Sequence, residues 1–280
     1  MAFEISDEHL IPVERGHAVS AGWPSATGGK PHGVTWHWTA TWDLKTCTRI
    51  LGGANALRKG SASAHYGVGR SYKEGVDRYV TLENRSWHAG KGQTLRFDGT
   101  ERGGSAWSGA RTTIGIETVN IGYARKGVPA ARDWIEVLDH RGRSEMEIQP
   151  WTDEQITMMI GVGQEIIERF PHIRPEHHHG HHDICPSRKL DVLGFPFAEV
   201  LRGIYDDPSI PDVWTPFLSA EQRQQALIKL GYNLGSYGAD GDWGRMSQAA
   251  LEQFQEDEGM AEDGMWSTFV CRAIYNKLQG

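Results

Sequence analysis

Two side chains able to hold a metal, His181 and Asp191, stand ten residues apart in Gly180-His181-His182-Asp183-Ile184-Cys185-Pro186-Ser187-Arg188-Lys189-Leu190-Asp191. Pro186 and the basic pair Arg188-Lys189 lie between them, which argues for a chain that folds back rather than for one helical face. Far upstream, Thr35-Trp36-His37-Trp38-Thr39-Ala40 sets a histidine inside a β-branched and aromatic run. Two histidines and a carboxylate, with a fourth position left for water, are the ligand set of a catalytic zinc. Glu117 sits in a β-rich stretch where a lone carboxylate is costly to bury without a partner. Its alternation with Ile114 and Ile116 also fits an outward-facing strand residue. Together these residues read as a zinc hydrolase.

Elements to position them are visible along the chain. Strand-like runs fall at 34–38, 65–70, 78–82 and 114–119, the middle two joined by Ser71-Tyr72-Lys73-Glu74-Gly75 as a hairpin connection. A Gly/Arg/Ser-rich piece, about 91–112, reads as a loop over the site. Thr152-Asp153-Glu154-Gln155 has the form of a capping box. It opens a helix with Ile156, Met159, Ile160, Ile166, Ile167 and Phe170 on roughly one face. The expected fold is α/β: a mixed central sheet flanked by helices. Pro208, Pro211 and Pro216 mark a linker, and Ser219-Ala220-Glu221-Gln222 starts a second capped helix ended by Gly231. Two more helices, one through Phe254 and one through Leu278, make a small all-α, three-helix C-terminal domain. The expected division is 1–207, a linker at 208–217, and 218–280.

The same residues carry a resemblance. The 180–191 stretch resembles the "GHSDIAPGRKTDPG" signature of type 2 N-acetylmuramoyl-L-alanine amidases. WHWTAT at 36–41 resembles their first zinc-ligand strand, SAHYGVGR at 63–70 their central strand, WHAG at 87–90 their rim motif, and IGIETVN at 114–120 their catalytic-glutamate strand. The five motifs run in the family's order over roughly residues 30–200. The resemblance implies cleavage of the bond between the muramoyl lactyl group and L-alanine, with zinc on His37, His181 and Asp191. It makes Glu117 the general base, Lys189 an oxyanion stabiliser, and Trp87, His88 and Asn120 residues of the substrate groove. Cys185 is a rival third ligand, because phage enzymes of this family often use cysteine, but Asp191 has the family's spacing. His177, His178, His179 and His182 read as surface residues or as neighbours of the ligands, and His65 as a packed strand residue. The tail resembles the three-helix peptidoglycan-binding domain, through Leu230-Gly231-Tyr232, the Asp240–Gly244 turn and Ala250, Phe254 and Gln255. A phage-type endolysin is the expected role. A cytoplasmic anhydromuropeptide recycling amidase and a non-catalytic wall-binding protein are the alternatives.

Composition narrows the partners. The 280 residues carry a net charge of −7 with no Lys/Arg cluster, which argues against nucleic acid. From Asp212 onward there are ten acidic and five basic residues, a net of −5. Eleven tryptophans suit either core filling or a sugar-binding groove. Three widely spaced cysteines, Cys47, Cys185 and Cys271, do not form a disulfide framework and fit synthesis in a reducing compartment. The N-terminus shows neither a basic n-region nor an apolar h-region, and no stretch approaches a membrane span. The expectation is a monomer made in the cytoplasm, without stable membrane association, that meets the cell wall after release by another route.

Overall fold

The computed structural model of the protein describes residues 3–14, 17–52, 61–90 and 109–280. The expected loop over the site lies mostly in residues 91–108, outside the described residues; its end, Gly109–Thr112, is a helical turn.

The chain divides into two compact units. The first, residues 1–122, 151–192 and 199–210, is built on a six-stranded mixed sheet. Its strands are β1 (Ile5–Ser6), β3 (Gly33–Trp38), β4 (Tyr66–Val68), β5 (Val76–Arg78), β7 (Thr113–Thr118) and β10 (His178–Gly180), in the order β1-β5-β4-β7-β3-β10. β3 pairs in parallel with β7 on one side and β10 on the other, whereas β4 and β5 are antiparallel. A two-stranded ribbon, β2 (Val19–Ser20) with β6 (Arg85–Ser86), stands beside it.

The central strands β3 and β7 alternate apolar with polar residues yet are buried almost throughout, because both faces are covered. Val34, Trp36, Ile114, Ile116 and Tyr66 are fully buried on one face, and each such side chain contributes roughly 1.5–3 kcal/mol. The helix α3 (Asp153–Arg169) lies on that side. Thr152 caps it by accepting from the Gln155 N–H, as the sequence indicates. The Gln155 amide then donates to the Val119 carbonyl, and the Trp151 indole to Thr118 Oγ1. The other face carries α1 (Leu44–Leu51), capped by Asp43 and closed over Cys47, Leu51, Tyr79 and Val119.

Two strand readings shift. The run expected at 78–82 is a strand only over Val76–Arg78, because the Tyr79 and Val80 amides both turn to the His65 carbonyl. The histidine tract, read as surface or ligand-neighbouring residues, contains edge strand β10. His177, His178, His179 and His182 are all buried, so the surface part of that reading is corrected. Several of their ring nitrogens find partners: His178 accepts from the Trp36 indole and faces the Tyr205 hydroxyl, and His179 Nε2 faces Thr35 Oγ1.

The second unit comprises residues 123–150, 193–198 and 211–280. The expected three helices are present as α6 (Ala220–Lys229), α7 (Arg245–Asp257) and α8 (Thr268–Gln279), around Leu227, Leu251, Phe254 and Ile274. Ser219 and Gln222 form the capping box. A hairpin not seen in the sequence, β8 (Ile135–Leu138) with β9 (Glu145–Ile148), belongs to this unit. Arg223 of α6 holds it, donating to the carbonyls of Asp139, Leu138 and Phe217 at 2.8, 2.7 and 2.9 Å. Among the described residues no helix is long and apolar enough to cross a membrane, and the three cysteines form no disulfide.

Candidate metal centre and active site

Strand pairing builds the site. In the parallel β3–β7 register His37 stands opposite Glu117, so both side chains leave the same face. Glu117 Oε1 is 4.0 Å from His37 Nδ1. On the other side of β3, β10 runs into a helical turn, α4 (His181–Ile184), and delivers His181 to that face. Asp183 fastens the turn by accepting from the Gly180 N–H at 2.8 Å. The chain folds back at Pro186, and the His182 N–H donates to the Asp191 carbonyl at 2.6 Å. That closure brings Asp191 to His181.

His37, His181 and Asp191 are the one group of three metal-competent side chains that the described residues bring together, and all three are buried. Their facing atoms form a triangle: His37 Nδ1 to His181 Nδ1 2.9 Å, His37 Nδ1 to Asp191 Oδ2 3.2 Å, and His181 Nδ1 to Asp191 Oδ2 3.0 Å. Ligands at 2.0–2.1 Å from a tetrahedral zinc stand about 3.3 Å apart. The triangle fits that spacing, and its nitrogen and carboxylate donors fit zinc chemistry. Two ring nitrogens aimed at each other cannot both be donors or both acceptors, whereas one cation satisfies all three atoms.

The electrostatics are those of buried charge. Burial, followed by the His181 charge, brings His37 down to about 4. Burial also opposes a charge on His181, but Asp191 outweighs it and raises the imidazole to about 9. Asp191 is held well below the usual carboxylate range, because His181 and His37 overcome its desolvation. Glu117 goes the other way: burial, then the Asp191 charge, pushes its carboxyl up to about 8. A carboxyl of that strength exchanges protons near neutral pH. Lys189 is half-buried, and its charge is felt at Glu117, His37 and His181.

Cys185 lies outside the triangle, with its thiol toward the Ala89 carbonyl at 3.7 Å and the Arg188 guanidinium at 3.2 Å. Trp87 is exposed, its indole donating to Ser20 Oγ. His88 and Asn120, expected in the groove rim with Trp87, are 8% and 0% exposed. His88 instead faces His37, Nδ1 to Nε2 at 2.9 Å, an arrangement the sequence reading missed. A signal for it exists in Gly115, where a Cβ would run into the His88 ring. Asn120 Oδ1 accepts from the Gly122 N–H at 2.7 Å. His65 is a packed residue, as expected. Its Nδ1 accepts from the Gly115 N–H, and its Nε2 donates to the Asn84 carbonyl.

Comparison with known proteins agrees in its main lines. A stretch of 33 residues, 12% of this chain, is 61% identical to the type VI secretion system spike protein VgrG3 of Vibrio cholerae; this chain covers 3% of that protein's length. Among solved structures, the N-acetylmuramyl-L-alanine amidase AmiD of E. coli is similar at 21% identity and a TM-score of 0.49, with 92% of this chain and 91% of that one covered. AmpDh3 of Pseudomonas aeruginosa is similar at 19% identity and a TM-score of 0.45, covering 98% and 97%. The peptidoglycan binding domain family matches residues 220–274. The N-acetylmuramoyl-L-alanine amidase family matches residues 27–192, more than half of the chain and the whole of the site from His37 to Asp191, and the chain belongs to that family of enzymes.

Proposed function

We propose that this amidase is zinc-dependent and acts on polymeric cell wall, in the manner of an endolysin. The observation that carries the metal reading is the buried triangle of His37, His181 and Asp191, with Glu117 4.0 Å from His37. Zinc, when bound, supplies a Lewis acid that polarises the scissile carbonyl and makes water a competent nucleophile near neutral pH. Glu117 takes the proton of the attacking water and passes it to the departing L-alanine amine, its basicity raised by burial. Lys189 offers its ammonium to the oxyanion of the tetrahedral intermediate. Trp87 presents an exposed aromatic face suited to a pyranose ring.

In this reading residues 1–207 hold the catalytic machinery, 208–217 link, and 218–280 anchor the enzyme on peptidoglycan. The match of the binding-domain family to residues 220–274 favours an insoluble polymer over small recycled fragments. The chain is made in the cytoplasm and reaches the wall after release. A second reading of that route, delivery by a secretion machine, has the 33-residue likeness to a secretion spike protein behind it. The deciding experiment adds purified chain to sacculi and follows turbidity and newly exposed L-alanine amino groups. Loss of turbidity with stoichiometric exposure of L-alanine supports the proposal. Release only from soluble muropeptides supports recycling, and binding without release supports a non-catalytic protein.

A further inference from the structure

We infer that His88 is a positioning residue: it fixes the tautomer of His37 so that Nδ1, not Nε2, is the atom offered to the metal. The inference rests on the metal reading above. His88 Nε2 is 3.0 Å from the Thr113 carbonyl. A carbonyl only accepts, so Nε2 carries the proton. A neutral imidazole has one N–H, and His88 is buried with no carboxylate among its hydrogen-bond partners in the described residues, so its Nδ1 is a lone pair. His37 Nε2, 2.9 Å from that lone pair, must therefore donate. The remaining nitrogen of His37, Nδ1, is left unprotonated and faces His181 and Asp191.

The next residue serves the second histidine in the same sense. His181 Nε2 lies 3.4 Å from the Ala89 carbonyl, an acceptor that favours the proton on Nε2 and leaves Nδ1 for the metal. One two-residue strap, His88-Ala89, thus orients both imidazoles. Its place on the sheet depends on Gly115, which leaves the space the His88 ring occupies. Groups that orient metal-binding histidines typically change metal affinity by 10–100-fold when removed. With both ring nitrogens engaged inside the protein, His88 has none to offer substrate.

The chemistry of the substitutions separates this role from mere packing. In His88→Asn the amide oxygen takes the place of Nδ1 and still accepts from His37. In His88→Gln the amide reaches the place of Nε2, toward Thr113, and leaves His37 without an acceptor. Zinc affinity of the full chain is measured by competition with a chromophoric chelator. His88→Gln and His88→Leu should weaken binding by about 10–100-fold, and His88→Asn should recover most of it. Long-range proton–nitrogen NMR of the parent chain, with and without zinc, should show His37 protonated at Nε2. Equal affinity in all three variants, or His37 protonated at Nδ1, overturns the inference. A parent chain that binds no zinc overturns the metal reading with it, whereas zinc binding indifferent to residue 88 overturns this inference alone. If His88→Leu does not fold, the Asn and Gln pair and the parent spectrum decide.

Discussion

The two units bury charge in opposite ways. On the sheet face His37, His181, Asp191 and Glu117 are all at most 8% exposed, and it is side-chain atoms that they turn toward one another. In the second unit Arg223 is 3% exposed, and three backbone carbonyls take up its guanidinium donors, with the Trp266 ring 5.2 Å away. Burial lowers Arg223 to about 10, so it stays charged at neutral pH. The first arrangement sets ionisable side chains against one another and leaves Glu117 titrating near neutrality, as chemistry requires; the second ties a charge to backbone and makes it a fastener. Buried charge that neighbours leave unsettled points to function, and buried charge that backbone settles points to structure.

The sharpest way to break this contrast is to remove one ligand. Asp191→Ala should lose zinc and, with it, all measurable amidase activity, because two histidines without the carboxylate leave the triangle open. Cys185→Ser should keep both, since the thiol stands outside the triangle. Metal analysis of the two purified variants decides, and zinc retained by the aspartate variant but lost from the cysteine variant reverses the assignment. Glu117→Gln comes next. The amide is nearly isosteric but cannot take a proton, so turnover should fall by about 10²–10⁴-fold with zinc and fold intact. Near-normal release of L-alanine-terminated peptides by this variant removes Glu117 from the chemistry.

The fastener should fail differently. Arg223→Met leaves the Phe217, Leu138 and Asp139 carbonyls without their donor, at about 1–3 kcal/mol for each group left dry. Some of that returns as the hairpin shifts or admits water, so a net loss of about 3 kcal/mol is expected. Calorimetry should show an earlier transition, sedimentation with sacculi should weaken, and zinc content should not change. A variant that melts like the parent shows the hairpin is held by its apolar contacts instead.

How much of this was legible beforehand follows the same divide. Alternation and motif order found β3 and β7, and spacing pointed to His37, His181 and Asp191. Register did not show, because nothing in either strand alone says that His37 lies opposite Glu117. The histidine tract misled because a polar run has no apolar period; β10 is buried through ring nitrogens that pair with Trp36, Tyr205 and Thr35. His88 looked like a rim residue for the same reason, since its partner is 51 positions away. The hairpin at 135–148 was missed because its connection lacks the two-residue signal of a tight turn. Asp139 organises that connection instead, its carboxylate accepting from the Arg141 and Arg143 amides.

The smallest expected effect concerns what holds the chain to the wall. The tail from Asp212 carries a net charge of −5. Ion pairing with an anionic polymer would therefore be repulsive overall, and binding is expected to rest on backbone amides and aromatic faces. Such contacts are short-ranged and little screened, whereas charge attraction between exposed groups fades over about 10 Å at 0.1 M salt. Sedimentation of the full chain with sacculi should accordingly change less than about twofold between low and moderate salt; a protein relying on several cationic contacts would lose far more. Two tryptophans of this tail, one buried and one half-buried, are poor candidates for those faces. Trp266 is 3% exposed, and Trp243 packs edge-on against it at 5.8 Å with its indole donating to Gln248. Tyr237, at 84% exposure, is the better one. Tyr237→Ala should weaken sedimentation modestly without moving the melting temperature, while an equal loss from added salt alone would show that charge, not stacking, makes the contact.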